Sequence, residues 1–239
     1  MAIFCVPLDS HALITIDGYL HSDWGVTPST YGPSSDWIPF SGIIYKEEDQ
    51  INNFLDPGYG GQQFDAEALY WTRGGGNIYL ALVTGTRPAG WTGGSPGDIY
   101  FNFGAGRGYG LKTTGGNAGH LYKNPLWNGS GNWGGSTNPT TIKNGSGTDL
   151  GAMSFMYVGS YTTGAHYVME MAIPENKFGN DWLYGGTVHW TQTCGNDAID
   201  LNIPETPEPA TVALLGIGLV GLAGRRIRGK RSQVTSHRS

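Results

Sequence analysis

Tyr167-Val168-Met169-Glu170-Met171-Ala172-Ile173 decides how this chain folds. Tyr167, Met169, Met171 and Ile173 fall on one side of a period of two, the spacing of a half-buried strand. Asp98–Phe103 repeats the pattern, with Ile99, Phe101 and Phe103 opposite Tyr100 and Asn102. Further strands are expected in Gly42–Tyr45, Glu67–Trp71, Ile78–Thr84, Gly108–Lys112, Met153–Val158 and Thr187–Cys194. Turn clusters separate them: Arg73-Gly74-Gly75-Gly76-Asn77, Gly93–Gly97 and Asn144-Gly145-Ser146-Gly147. The first cluster should close a hairpin between Glu67–Trp71 and Ile78–Thr84. Pro174–Phe178 suits one helical turn, and no other stretch of the body has amphipathic-helix spacing. Many short strands with polar turns predict an all-β, jelly-roll-like β-sandwich.

Composition agrees. Of 239 residues, 40 are Gly, which disfavours a helical bundle, and aromatics reach 12%, which disfavours a disordered chain. Between Gly58 and Gly164 lie 27 of the glycines, and residues 115–147 hold few apolar side chains. That stretch reads as a surface insertion in a body spanning 13–203.

Charge divides unevenly. Residues 1–206 hold 8 basic and 18 acidic side chains, a net of −10, which argues against a nucleic-acid partner. The other six basic residues, Arg225, Arg226, Arg228, Lys230, Arg231 and Arg238, follow the uncharged run Ala210–Gly224. Those 15 residues would make a helix of roughly 22 Å against a hydrocarbon core of about 30 Å. A buried core helix would also suit that length. The run is apolar on all sides, however, and Arg225-Arg226-Ile227-Arg228 follows at once, as expected at a cytoplasmic end. A transmembrane helix over 210–224 with a basic cytoplasmic tail over 225–239 is therefore expected.

A Pro-rich linker, 204–209, precedes that helix. Pro207-Glu208-Pro209, a Gly/Ala/Leu-rich apolar run and an Arg cluster, in that order, resemble the PEP-CTERM sorting signal. The resemblance covers about 25 residues and departs from the pattern in the extra tail Ser232–Ser239. It implies export in a Gram-negative bacterium that makes extracellular polysaccharide, with exosortase as processing partner. Export calls for a signal peptide. Residues 1–12 read as a remnant of one, with Ser10-His11-Ala12 as small-x-small; the alternative is an apolar β-strand. Without those residues Cys194 is the one remaining cysteine, so no intramolecular disulfide is expected. Its residue type and context suit a small buried group in a strand.

Ile16-Asp17-Gly18 with Asp23-Trp24, Ala66–Trp71 with Asn77–Leu82, and Tyr167–Pro174 loosely resemble family-nine carbohydrate-binding modules and DOMON-type sandwiches. That resemblance implies a sandwich with glycan binding.

Candidates for chemistry are few. Asp65 and Glu67, two apart, would share a strand face, and Glu170 could oppose them as in a glycosidase. A solvated strand face or a bound cation is the preferred explanation of them. His189 lies in a strand pattern and reads as structural. No metalloprotease, phosphate-loop, nucleophile-elbow or EF-hand motif occurs. No cofactor is expected; Ca²⁺ is the ion that Asp56, Asp65, Asp98, Asn196, Asp197 and Asp200 would suit. Trp91, Trp127 and Trp133 lie in Gly-rich, turn-like segments, with Asn117, Asn128 and Asn132 nearby. They could form a carbohydrate-facing patch or fold back onto the sandwich. The reading is an exported, non-enzymatic surface or matrix protein that binds carbohydrate; a secreted glycosidase is the rival.

Overall fold

A computed structural model describes residues 14–20, 23–27, 37–48, 61–129, 139–161 and 166–206. Their regular structure is strand and short 3-10 turns. Two antiparallel sheets pack face to face, as in a β-sandwich.

The five-stranded sheet runs in the order β1 (Ile44–Glu47), β2 (Ala66–Gly74), β3 (Asn77–Thr84), β11 (His166–Pro174) and β10 (Ser154–Tyr161). The six-stranded sheet runs β13 (Ala198–Ile203), β12 (Gly186–Thr191), β4 (Ile99–Asn102), β5 (Gly108–Leu111), β6 (His120–Lys123) and β9 (Thr148–Ala152). A separate hairpin pairs β7 (Trp127–Gly129) with β8 (Pro139–Ile142). The decisive stretch is β11, which lies between β3 and β10.

The expected hairpin of β2 and β3 is present, with Gly74 opposite Asn77. Its two-residue turn has Gly75 at φ 58° and Gly76 at φ 79°. Two consecutive positive φ angles make the turn that matches strand twist, and glycine alone adopts them at little cost.

The common core follows the alternation. Leu69, Trp71, Ile78, Leu80, Leu82, Met169, Met171 and Ile173 from one sheet meet Ile99, Phe101, Tyr109, Leu111, Leu121, Val188, Trp190 and Leu201 from the other. The side chains between them on the five-stranded sheet are also buried. Ala68, Tyr70, Tyr79, Ala81, Val83 and Val168 pack under Ile14, Leu20, Trp24, Val26, Trp37 and Ile43. Segments 14–20, 23–27 and 37–43 therefore cover the outer face of the sheet's central strands.

Three expectations change. Residues 115–147 are more than a surface excursion: β6 sits inside the six-stranded sheet with Leu121 in the core, and Ile142 of β8 is buried. Their few apolar residues are spaced where a narrow strand needs them. β12 ends at Thr191, so Cys194 lies half-buried in the following turn rather than in a strand. Asp65 precedes β2, and the register shifts between Ala66 and Ala68, so Asp65 and Glu67 do not alternate on a regular strand face.

No helix among the described residues is long and apolar enough to cross a membrane. The expected spans at 1–12, 207–209, 210–224 and 225–239 lie outside the described residues.

Candidate functional site

Glu170 faces the N-terminal cover and is 0% exposed. A solvated strand face is therefore ruled out for it. Its Oε1 accepts the indole N–H of Trp24 at 2.7 Å, and its Oε2 accepts the backbone N–H groups of Asp17, at 3.1 Å, and Gly18. Burial pushes its carboxyl up to about 7, while the three donors pull it down and the nearby Asp17 raises it further. Gly18 is at φ +84°, and a Cβ there would meet Val158 Cγ2 at 2.0 Å. Glycine is thus required for the backbone to come down onto the carboxylate. The arrangement is a clasp that holds the cover against the sheet.

Glu67 is 2% exposed, and both its oxygens lie 2.7 Å from His166 Nδ1. Gln62 Nε2 donates to the same carboxylate, and the imidazole of His166 meets the indole of Trp37 edge-on, centroids 5.9 Å apart. His166 escapes a sequence reading because it starts its strand and belongs to no motif. Its partner became visible only once β2 and β11 were placed on either side of β3.

At the start of β2, Asp65 and Asp197 are both buried. Asp197 accepts the backbone N–H groups of Ala66, at 2.6 Å, and Ala198, at 2.8 Å. Burial raises its carboxyl, and the bonds from Ala66, Asp65 and Ala198 oppose that rise. Gln192 joins the group through Asp197 N–H and the carbonyl of Phe64. These side chains tie the start of β2 to the turn between β12 and β13. That turn is closed by Gly195 N–H to the Gln192 carbonyl at 2.9 Å.

The other acidic candidates lie apart. Asp98 is buried and accepts the N–H groups of Thr113, at 3.0 Å, and Ile142, at 2.8 Å, fastening β8 to the six-stranded sheet. Asp200 pairs with His189 Nδ1 at 2.9 Å, across neighbouring positions of β12 and β13. Asp56 lies outside the described residues. Among the described residues no group of three or more His, Cys, Asp or Glu is placed to hold a metal ion.

The tryptophans are not brought together. Trp91 is half-buried, donates its indole N–H to the Gly85 carbonyl at 3.2 Å and lies under the Arg87 guanidinium, 4.0 Å from the ring centre. Trp127, also half-buried, meets Tyr100 edge-on at 5.0 Å and sits over Gly110, where a Cβ would come within 2.7 Å of the indole. Gly110 thus lets the β7–β8 hairpin lie on the outer face of the six-stranded sheet. Trp133 and Asn132 lie outside the described residues. Asn117 donates to the Tyr122 hydroxyl and Asn128 to Thr141.

The folded body closes at Pro204, just after β13, and residues 205–239 form a second unit. Residues 205–228 match the PEP-CTERM protein-sorting motif. This match includes Pro207, Glu208 and Pro209 and runs through Arg225, Arg226 and Arg228. The PEP-CTERM motif implies export and exosortase-dependent sorting to the surface of a Gram-negative cell. No curated protein and no solved structure matches the chain, and neither comparison supports the resemblance of the body to carbohydrate-binding modules.

Proposed function

We propose that this is an exported, non-enzymatic protein of the cell surface or matrix, held in the inner membrane by 210–224 until exosortase acts. The PEP-CTERM match at 205–228 carries the reading. Ala210–Gly224 is the span, and Arg225, Arg226 and Arg228 stay on the cytoplasmic side. The winding is jelly-roll-like: β3 pairs with β11 in one sheet, and their successors β4 and β12 pair in the other.

A binding role is favoured over catalysis by the state of the two carboxylates. A glycosidase needs an acid and a base or nucleophile that both reach the sugar. Glu67 and Glu170 are almost fully enclosed, the first by His166 and Gln62 and the second by three N–H donors. The ligand is carbohydrate, taken by the surfaces that carry Trp91 and Trp127, with Trp133 as the third candidate. Half-exposed indoles can stack on the C–H faces of sugar rings, and loops on a rigid scaffold are where such contacts concentrate.

Expression in the native host tests the sorting. Replacing Pro207 and Glu208 by Ala should leave the protein unprocessed in the inner membrane, as should loss of exosortase. Surface delivery in either case would overturn it. Retention on the host polysaccharide, lost in Trp91→Ala or Trp127→Ala with stability kept, supports the ligand class. Polysaccharide turnover that vanishes in Glu67→Gln would favour the glycosidase instead.

A further inference from the structure

The sequence holds two Asn-Gly pairs among the described residues, Asn128–Gly129 and Asn144–Gly145. Their surroundings differ. Asn144 and Gly145 are exposed in the turn between β8 and β9, which is closed by Ser146 N–H to the Lys143 carbonyl at 3.1 Å. Gly145 is at φ +74°, and a Cβ there would meet nothing within 4 Å. Its own N–H makes no hydrogen bond among the described residues. Lys112 Nζ donates to the Asn144 side-chain oxygen at 3.3 Å. Asn128, in contrast, lies in β7, where its Nδ2 donates to Thr141 Oγ1 at 2.9 Å and its carbonyl accepts from Thr140 at 3.1 Å.

We infer that Asn144–Gly145 is a self-modification site, at which the Gly145 nitrogen displaces the Asn144 side-chain amide while the Lys112 ammonium promotes the attack. The Gly145 nitrogen gives its proton to solvent base and bonds to Asn144 Cγ. Negative charge gathers on Asn144 Oδ1, the atom to which Lys112 already donates, and a cation placed there stabilises the charge as it develops. Nδ2 takes a proton from solvent and leaves as ammonia, closing a five-membered imide. Water opens the ring at either carbonyl, giving aspartate or isoaspartate. The sum is asparagine plus water to carboxylate plus ammonium, with no oxidation. Glycine in the second place leaves the attacking nitrogen unshielded, since there is no side chain to crowd it. Lys112 does not itself compete for Cγ, because an ammonium has no lone pair to attack with. The product places a new carboxylate beside Lys112 and makes the surface one charge more acidic.

The full chain in detergent micelles, incubated in mildly alkaline buffer, tests this by peptide mapping with a protease that spares Lys143. A one-dalton gain should reach Asn144 well before Asn128. Lys112→Met should slow it by about two- to five-fold, the worth of an exposed charged contact. In denaturant the two pairs should converge, since the fold is what separates them. Equal or reversed rates in the folded chain would overturn the inference. So would an unchanged rate in Lys112→Met, or a peptide in which Lys112 is cross-linked to Asn144.

Discussion

The two sheets use the same strand alternation to different ends. On the six-stranded sheet Ile99, Phe101, Val188, Trp190, Ile199 and Leu201 face the core, while Tyr100, Asn102, Asp200 and Asn202 face outward. In the five-stranded sheet the central strands β2, β3 and β11 are buried on both faces. Its outer side carries Tyr70, Tyr79, Val83 and the carboxylate of Glu170 beneath segments 14–20, 23–27 and 37–43. On the six-stranded sheet the β7–β8 hairpin covers part of the outer face, over Tyr100 and Gly110, and the rest presents polar groups to water at no cost. A sheet covered twice must satisfy every polar group it encloses, and Glu170 and Glu67 are satisfied by named donors. The comparison puts stability in the covered sheet and leaves the more open one to offer a surface.

The largest expected effect tests whether the cover belongs to the folded core. Trp24→Ala removes a fully buried indole and one donor to Glu170. It should cost about 3–5 kcal/mol in denaturant unfolding, as much as a tryptophan between the sheets. A loss under about 1 kcal/mol, the range of ordinary surface changes, would mean that the cover is ornamental.

Next comes pH. Glu170 is raised from 4.5 in the free side chain to about 7 in the fold. The folded state then holds the proton more tightly, so stability is fullest below the free value and declines as pH rises through about 7. Up to about 3 kcal/mol is at stake from Glu170, and Asp197 shifts in the same direction. Unfolding at about pH 5 and about pH 8 should favour the acid condition, with a smaller difference in Glu170→Gln. An identical difference in both proteins would contradict the clasp.

Away from the cover the effects shrink. Asp98→Ala strands the N–H groups of Thr113 and Ile142 and should cost about 1–3 kcal/mol, read as a lowered denaturation midpoint. Arg87→Ala removes the cation over Trp91 and should cost about 0.5–1 kcal/mol. A loss several times larger in the Arg87 variant would place that corner in the core.

How much of this was legible in the sequence follows from the same contrast. β4, β11 and the β2–β3 hairpin stand out because alternation and glycine turns are local signals. Glu170 was legible as a carboxylate in a strand, but its burial was not, because its donors sit 146 to 153 residues earlier in the chain. Asp65 and Glu67 misled because a register shift after Ala66 breaks the two-residue spacing. β6 and β8 were lost among glycines, where four-residue strands carry too few apolar side chains to show a period. The sorting segment was the most legible part, since its three unlike elements occur in a fixed order within 205–228.

The account rests above all on that segment, and the intact mass of the protein recovered from the surface of its host tests it most directly. The account predicts a chain cut within residues 205–228, lacking the Arg cluster, while cells without exosortase yield the chain through Ser239. A surface form that still ends at Ser239 would contradict it.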